Sequence, residues 1–228
     1  MIKTAILIFS RSAKEESRRK KLHPNKKVNV RLHVALHNKT INTVQETGLP
    51  YFLIDEHLQA GSGFGEKIAN AVNAVFQKNY DNVIAIGNDC PQLSSQVLLD
   101  AANKINQNQL VVGPDRNGGI YLFGISANLF DSKTFKEIPW QTGRVCNALL
   151  GYRDCVSYDL CLLEKLSDFN KLSDFYFLKK IFHPDNSFIS LVILIITGRK
   201  KISSSILTFL YWFRFANIKQ FRAPPPFC

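Results

Sequence analysis

The chain has 228 residues, 46% hydrophobic and 21% charged, which is enough apolar material for one domain and too much for a wholly disordered chain. Lys and Arg number 29 against 18 Asp and Glu, a formal net charge of +11. Gly 12 and Pro 9 are ordinary totals and no internal repeat is visible, so collagenous and low-complexity classes are excluded.

The charge is unevenly placed. Residues 1–39 carry 11 basic and 2 acidic side chains, and residues 165–228 carry 10 and 3, whereas residues 40–164 are net −5. Solvated surface is the plain reading of the basic ends, and attraction to an anionic substrate or membrane surface is the sharper one. A nucleic-acid binder concentrates cations on its recognition element, so no specific nucleic-acid partner is expected here. The five cysteines (Cys90, Cys146, Cys155, Cys161, Cys228) show no C-x-x-C spacing, which argues against a zinc ribbon or a thioredoxin-type site. A reducing cytoplasm is the compartment this usage implies. The amino-terminal apolar run is too short for a signal-peptide core.

In chain order, Thr4–Phe9 (TAILIF) reads as a strand buried on both faces, and Ser10–Lys27 as a solvated helix or loop. A helix is predicted over Ala35–Thr47, stopped by Gly48 and Pro50, then a short strand at Tyr51–Ile54. The small-residue loop Gln59–Gly65 leads into a helix with Ile68, Val72, Val75 and Phe76 on one face. Val83–Ile86 is a further buried strand, followed by a helix from Ser94 or Ser95 to about Ile105. Leu110–Val112 and Ile120–Phe123 complete the strands. Strands separated by helices predict an α/β fold, a mostly parallel, Rossmann-like sheet with helices on both faces and ligands beyond the strands' carboxyl ends. Residues 1–181 form the predicted domain and 182–228 a helical carboxy-terminal extension. In the latter, 186–198 and 202–213 are uncharged but shorter than a membrane span, so helices packed on the domain are favoured. Peripheral membrane contact through 186–213 is the alternative.

The first candidate for chemistry is Gly87-Asn88-Asp89-Cys90-Pro91. A carboxylate at a strand end, Asp89, can hold Mg²⁺ or Mn²⁺, which favour hard oxygen ligands and substrate phosphates. Capping of the following helix explains Asp89 equally well. The second candidate is Gly113-Pro114-Asp115-Arg116-Asn117-Gly118-Gly119, where Asp115 or Asn117 meets the same ion, although Asn117-Gly118 is also a plain hairpin signal. In the third, Gln59, Gly61 and Gly65 precede a helix amino terminus suited to a phosphate, or form a flexible loop. The fourth, Pro139–Arg144, offers Trp140 and Thr142 to an acceptor, or a buried Trp beside a cap at Thr142. The five histidines show no metal-ligand spacing.

The order and spacing of Gly87–Pro91, Val111–Gly124 and Trp140-Gln141-Thr142 resemble the GT-A-type nucleotide-diphospho-sugar transferases, in particular the branch of arsenosugar-biosynthesis-type glycosyltransferases, over about residues 2–180. The resemblance implies a nucleotide-sugar donor, an unknown acceptor, and Mg²⁺ or Mn²⁺ on Asp89. It implies donor contacts at Ser10, Arg11, Gln59, Gly61, Gly65, Asn88, Gly118 and Gly119, catalytic roles for Asp115 and Asn117, and an acceptor side at Trp140 and Thr142. The chain departs from the family at Asn117, where a carboxylate is usual, and at Ser10–Arg18, where a Lys-Thr-Arg stretch is usual. Nucleotidyl transfer making an activated metabolite, and a non-catalytic nucleotide-binding relative, stand as alternatives.

Overall fold

The computed structural model describes residues 2–107, 109–152, 159–183 and 186–198. Its strands are β1 (Thr4–Phe9), β2 (Tyr51–Ile54), β3 (Asn82–Ile86), β4 (Gln109–Pro114), β5 (Ile120–Ser126) and β6 (Asp159–Leu162). The helices are α1 (Ala13–Arg19), α2 (Lys26–Gln45), α3 (Phe64–Phe76), α4 (Ser95–Asn106), α5 (Ser132–Glu137), α6 (Val145–Tyr152), α7 (Leu172–Ile181) and α8 (Ser187–Thr197).

The strands form one sheet in the order β2-β1-β3-β5-β4-β6. Three neighbour pairs are parallel, while β5 runs antiparallel to both β3 and β4. This is the expected mostly parallel, Rossmann-like sheet, with one reversal that the apolar runs did not announce. The Asn117-Gly118 hairpin signal is what the chain uses there, because β4 and β5 are joined by residues 115–119.

Side chains alternate across the sheet, which sorts the apolar runs into two cores. Ala5, Leu7, Phe9, Val83 and Ala85 face a layer built from α3, α5 and α6. Ile6, Ile8, Ile84 and Ile86 face α4 and Val44 of α2. Burial on both faces explains why β1 and β3 are apolar without alternation. A third cluster lies outside the sheet, where Leu32, Ala35 and Leu36 of α2 meet Phe175 and Leu178 of α7 and Phe188, Leu191 and Val192 of α8.

α2 begins nine residues before the predicted Ala35, at Lys26, capped by Asn25 Oδ1 accepting from Val28 N at 3.1 Å. Its first turns bury Asn29, Leu32 and His33, a partly polar face that hides the helix from a hydrophobic reading. α1 buries no residue, and polar clips hold it. Ser12 N and Oγ each donate to Glu56 at 2.6 Å. At the other end Asn29 Nδ2 donates to Ser17 O at 2.8 Å and Lys20 O at 3.2 Å, while Asn29 Oδ1 accepts from Leu22 N and His23 N.

α8 spends the apolar residues Phe188, Ile189, Leu191, Val192 and Ile195 on the packed cluster, which is the favoured arrangement for this part of 186–213. Among the described residues no helix is long and apolar enough to cross a membrane. The remainder of the 186–213 segment, from residue 199 onward, lies outside the described residues.

Replacing Asn29 by Ala removes four backbone hydrogen-bond partners from one buried side chain. Chemical denaturation should show a loss of about 2–3 kcal/mol, since buried backbone groups are left unpaired. A loss under about 0.5 kcal/mol would mean that water replaces the amide fully.

Candidate functional site

A pocket of about 450 Å³ opens where the carboxyl ends of β1, β3 and β4 meet the start of β5. Its apolar floor includes Phe9, Ile86, Leu122 and Phe123, and its polar wall includes Asp89, Asp115, Asn117, Thr142, Asp168 and Asn170. This is the position that an open α/β sheet offers to ligands.

Asp89 follows β3 directly. The cap of α4 is Ser94, whose Oγ accepts from Val97 N at 3.3 Å, so Asp89 is not the cap of that helix. Its partner is Lys20, whose Nζ donates to Asp89 Oδ2 at 2.9 Å. Asp115 is buried, and its Oδ1 accepts from Asn117 N at 2.6 Å and Gly119 N at 2.8 Å. One carboxylate oxygen thus closes the β4–β5 turn, and Asn117 supplies an exposed side chain at the rim.

The third carboxylate, Asp168, is one that sequence reasoning missed. After β6 the chain runs beside β4, with Leu163 N donating to Val112 O at 2.9 Å and Leu166 N to Pro114 O at 3.2 Å. It then crosses the loop after β3, where Ser167 N donates to Gln92 Oε1 at 2.8 Å and Phe169 N to Asp89 O at 2.7 Å. These bonds carry Asp168 to the two strand-end carboxylates. Its Oδ1 is buried with no partner. Burial, then the charges of Asp89 and Asp115, then a hydrogen bond with Asp115 push its carboxyl up to about 8. These surroundings favour the protonated form of Asp168. No local signal marks Asp168, since its role comes from register against β4.

The other predicted residues separate into wall, support and neighbours. Trp140 lines the pocket but is anchored, its Nε1 donating to Phe135 O at 2.9 Å and its ring packing on Phe64 and Phe135. Thr142 lines it too, with Oγ1 donating to Pro139 O at 2.6 Å and accepting from Arg144 N at 3.2 Å. Trp140 is half-buried and Thr142 exposed, and the Trp140 Nε1 and Thr142 Oγ1 atoms are engaged by local backbone groups. Gly119 lines the pocket. Gly118, at φ +85, lies against the Gly143 carbonyl with no room for a Cβ, which locks the 115–119 turn to the 140–145 turn.

Ser10, Arg11, Gln59, Gly61, Gly65 and Asn88 do not line this pocket. Gln59 Nε2 ties Ser10 O and Ile54 O together at 3.1 and 3.4 Å. Arg11 pairs with Glu16 at 3.1 Å, and Asn88 Nδ2 donates to Arg11 O at 3.5 Å. Gly65 packs on the Lys136 carbonyl, so it serves the α3–α5 contact. Gly61 sits at φ +135 against Glu66, inside a loop that Glu66 closes by accepting from Ser62 N and Oγ at 2.8 and 2.7 Å.

As a metal site, the donor set is carboxylate oxygen, the chemistry that Mg²⁺ and Mn²⁺ favour, and the unpartnered Asp168 Oδ1 is a vacant acceptor. Among the described residues no three His, Cys, Asp or Glu side chains are gathered closely enough to hold an ion as they stand. Asp89 is turned to Lys20, and the Oδ1 of Asp115 accepts from Asn117 N and Gly119 N.

Residues 23–142 match the model of a protein family described as "Uncharacterized protein conserved in bacteria (DUF2064)". The chain belongs to this family. The matched stretch holds Asp89, Asp115 and Trp140, while Asp168 falls beyond it. No curated protein matches the chain. Among solved structures, a Desulfovibrio desulfuricans G20 protein assigned as a nucleotide-diphospho-sugar transferase superposes with TM-score 0.73 at 18% identity, over 84% of this chain and 94% of that one. A cytidylyltransferase from Leptospira borgpetersenii serovar Hardjo-bovis follows at TM-score 0.46 and 11% identity, over 87% and 95%. Rv0371c from Mycobacterium tuberculosis H37Rv gives 0.45 and 11%, over 78% and 98%. At these identities the likeness is one of fold, and it rests on the first of the three.

The raised Asp168 carboxyl has a direct consequence for stability. The unfolded side chain loses its proton near pH 4 and the folded one near pH 8, so this group lowers the stability of the metal-free protein as pH rises between those values. Asp168→Asn mimics the protonated form. It should raise the thermal midpoint at pH 8, by the equivalent of about 1–3 kcal/mol, and change it little at pH 4. An equal shift at both pH values would show that the buried charge is not the cause.

Proposed function

We propose that the chain transfers a sugar from a nucleotide-diphospho-sugar donor to an acceptor, with Mg²⁺ or Mn²⁺ held by Asp89 and Asp168. The observation that supports this reading most is the convergence of Asp89, Asp115 and Asp168 on one pocket at the carboxyl ends of the strands. Three carboxylates on one pocket, with Asp168 pushed toward its protonated form by burial and by the other two, fit a site that gains a positive ion with its substrate. A divalent ion there would supply charge neutralisation to the departing diphosphate.

Each wall then has a task. Asp115 is held as an acceptor by Asn117 N and Gly119 N, so its own contribution is to fix the 115–119 turn and to bear on Asp168 by its charge. Asn117, at the rim, offers a neutral amide where a donor hydroxyl or phosphate could be read. Trp140, locked by Phe64 and Phe135, gives the acceptor side a fixed aromatic surface. Ser10, Arg11, Gln59 and Asn88 act on the donor through the shape of the neighbouring loops. The finer placement, in the arsenosugar-type branch, is supported by the spacing of Gly87–Pro91, 111–124 and Trp140-Gln141-Thr142. The cysteine usage fits a cytoplasmic protein.

Thermal unfolding against a panel of nucleoside diphosphates, triphosphates and nucleotide sugars, each with and without Mn²⁺ or Mg²⁺, tests this directly. A ligand at ~100 times its dissociation constant adds about 2.7 kcal/mol. A metal-dependent rise with one nucleotide-sugar class, lost in Asp89→Ala, is the expected result. Pyrophosphate release from a triphosphate would reassign the site to nucleotidyl transfer. No shift from folded protein with any ligand would remove the enzymatic reading.

A further inference from the structure

Lys20 has no part in the transfer as described, yet it supplies a positive charge to the central carboxylate. Its side chain is only 17% exposed, against 36% for Asp89, so the cation is the more enclosed member of the pair. The neighbouring cations differ, since Arg18 and Arg19 are 65% and 62% exposed and both are engaged by Glu15.

The backbone at Lys20 is fixed from several sides. Lys20 N donates to Glu16 O at 2.8 Å, and Lys20 O accepts from Asn29 Nδ2 at 3.2 Å. His33 Nε2 lies 2.9 Å from the same carbonyl. The ammonium therefore moves on a flexible four-carbon stem from a stationary Cα. It carries three donors, and Asp89 Oδ2 takes one of them. Its charge also acts on Asp168, where it favours the ionised carboxylate.

A divalent ion and an ammonium cannot both occupy Asp89 Oδ2, because two positive charges at that separation repel strongly where water is partly excluded. Entry of the ion must release Lys20. The released ammonium stays near the pocket mouth because its main chain is pinned, and it then needs new anionic oxygens. The diphosphate of a nucleotide sugar brings them, together with the ion.

We propose that Lys20 is a positioning residue that occupies Asp89 until a divalent ion arrives and then turns its ammonium onto the donor diphosphate, so that ion and nucleotide enter together. The inference rests on the reading of Asp89 as a metal ligand. It deepens that reading by making free-ion affinity low by construction and by linking the two ligands energetically.

The test uses the full chain with two probes, Mn²⁺ alone, followed by the paramagnetic resonance of the free ion, and inorganic pyrophosphate at saturating Mn²⁺, followed by calorimetry. Lys20→Met should bind Mn²⁺ about fivefold more tightly than wild type and bind pyrophosphate about fivefold more weakly. Lys20→Arg, which keeps the charge, should leave Mn²⁺ affinity near the wild-type value, and a cooperative melting transition in each variant will show that both fold. Equal or weaker Mn²⁺ binding by Lys20→Met overturns this proposal while leaving Asp89 as a ligand. If Mn²⁺ binds neither wild type nor Lys20→Met, with or without pyrophosphate, the metal reading falls and this proposal falls with it.

Discussion

The repulsion among Asp89, Asp115 and Asp168 is the constraint on which the pocket depends. Gathering three carboxylates beside buried apolar side chains is unfavourable, and the structure offsets it in three different ways. Lys20 neutralises Asp89, backbone N–H groups satisfy Asp115, and Asp168 is pushed toward its protonated form. Each device suits the local surroundings. Asp89 takes a lysine counter-ion, the buried turn carboxylate Asp115 takes fixed backbone donors, and Asp168 is shifted toward its neutral form.

That arrangement needs walls that do not relax. The glycine contacts supply part of the rigidity, since Gly118 against Gly143 and Gly65 against Lys136 bring backbone to within a distance that any side chain would prevent. The aromatic chain from Phe9 through Phe64 and Trp140 to Phe135 continues the same wall below the polar rim. With β4 and β5 paired on either side, the 115–119 turn is held at both ends by the sheet. Among the elements around the mouth, α1 stands apart, with no buried residue and only polar clips at each end.

Much of this was legible in the sequence because doubly buried strands leave uninterrupted apolar runs. Thr4–Phe9 and Val83–Ile86 announced a covered sheet, and Asp89 at the end of the second run announced a pocket. Direction was not legible, because an apolar run reads the same whichever way its strand points. Only the Asn117-Gly118 hairpin signal carried the reversal of β5. Asp168 stayed hidden since its placement depends on hydrogen bonds from 163–169 to Val112, Pro114, Gln92 and Asp89, all distant in sequence. Lys20 was concealed differently, in a run of four cations from Arg18 to Lys21 where nothing separates the enclosed one from its solvated neighbours. Gln59, Gly61 and Gly65 lie outside the pocket lining and are engaged in loop closure and a helix contact, a use of small and amide residues that reads in sequence just as phosphate binding does.

The margins of the sheet bear on how the protein behaves at high concentration. Among the described residues both outermost strands, β2 and β6, are only four residues long, while the strands between them run to five, six and seven. An exposed sheet margin is a template on which another chain can add a strand, and the hazard grows with the length of unpaired backbone on offer. Among the described residues two short margins leave little such template, and the apolar runs that build the cores lie on interior strands. The stretch that would aggregate most readily if it lay at a margin, TAILIF, has a paired neighbour on each side.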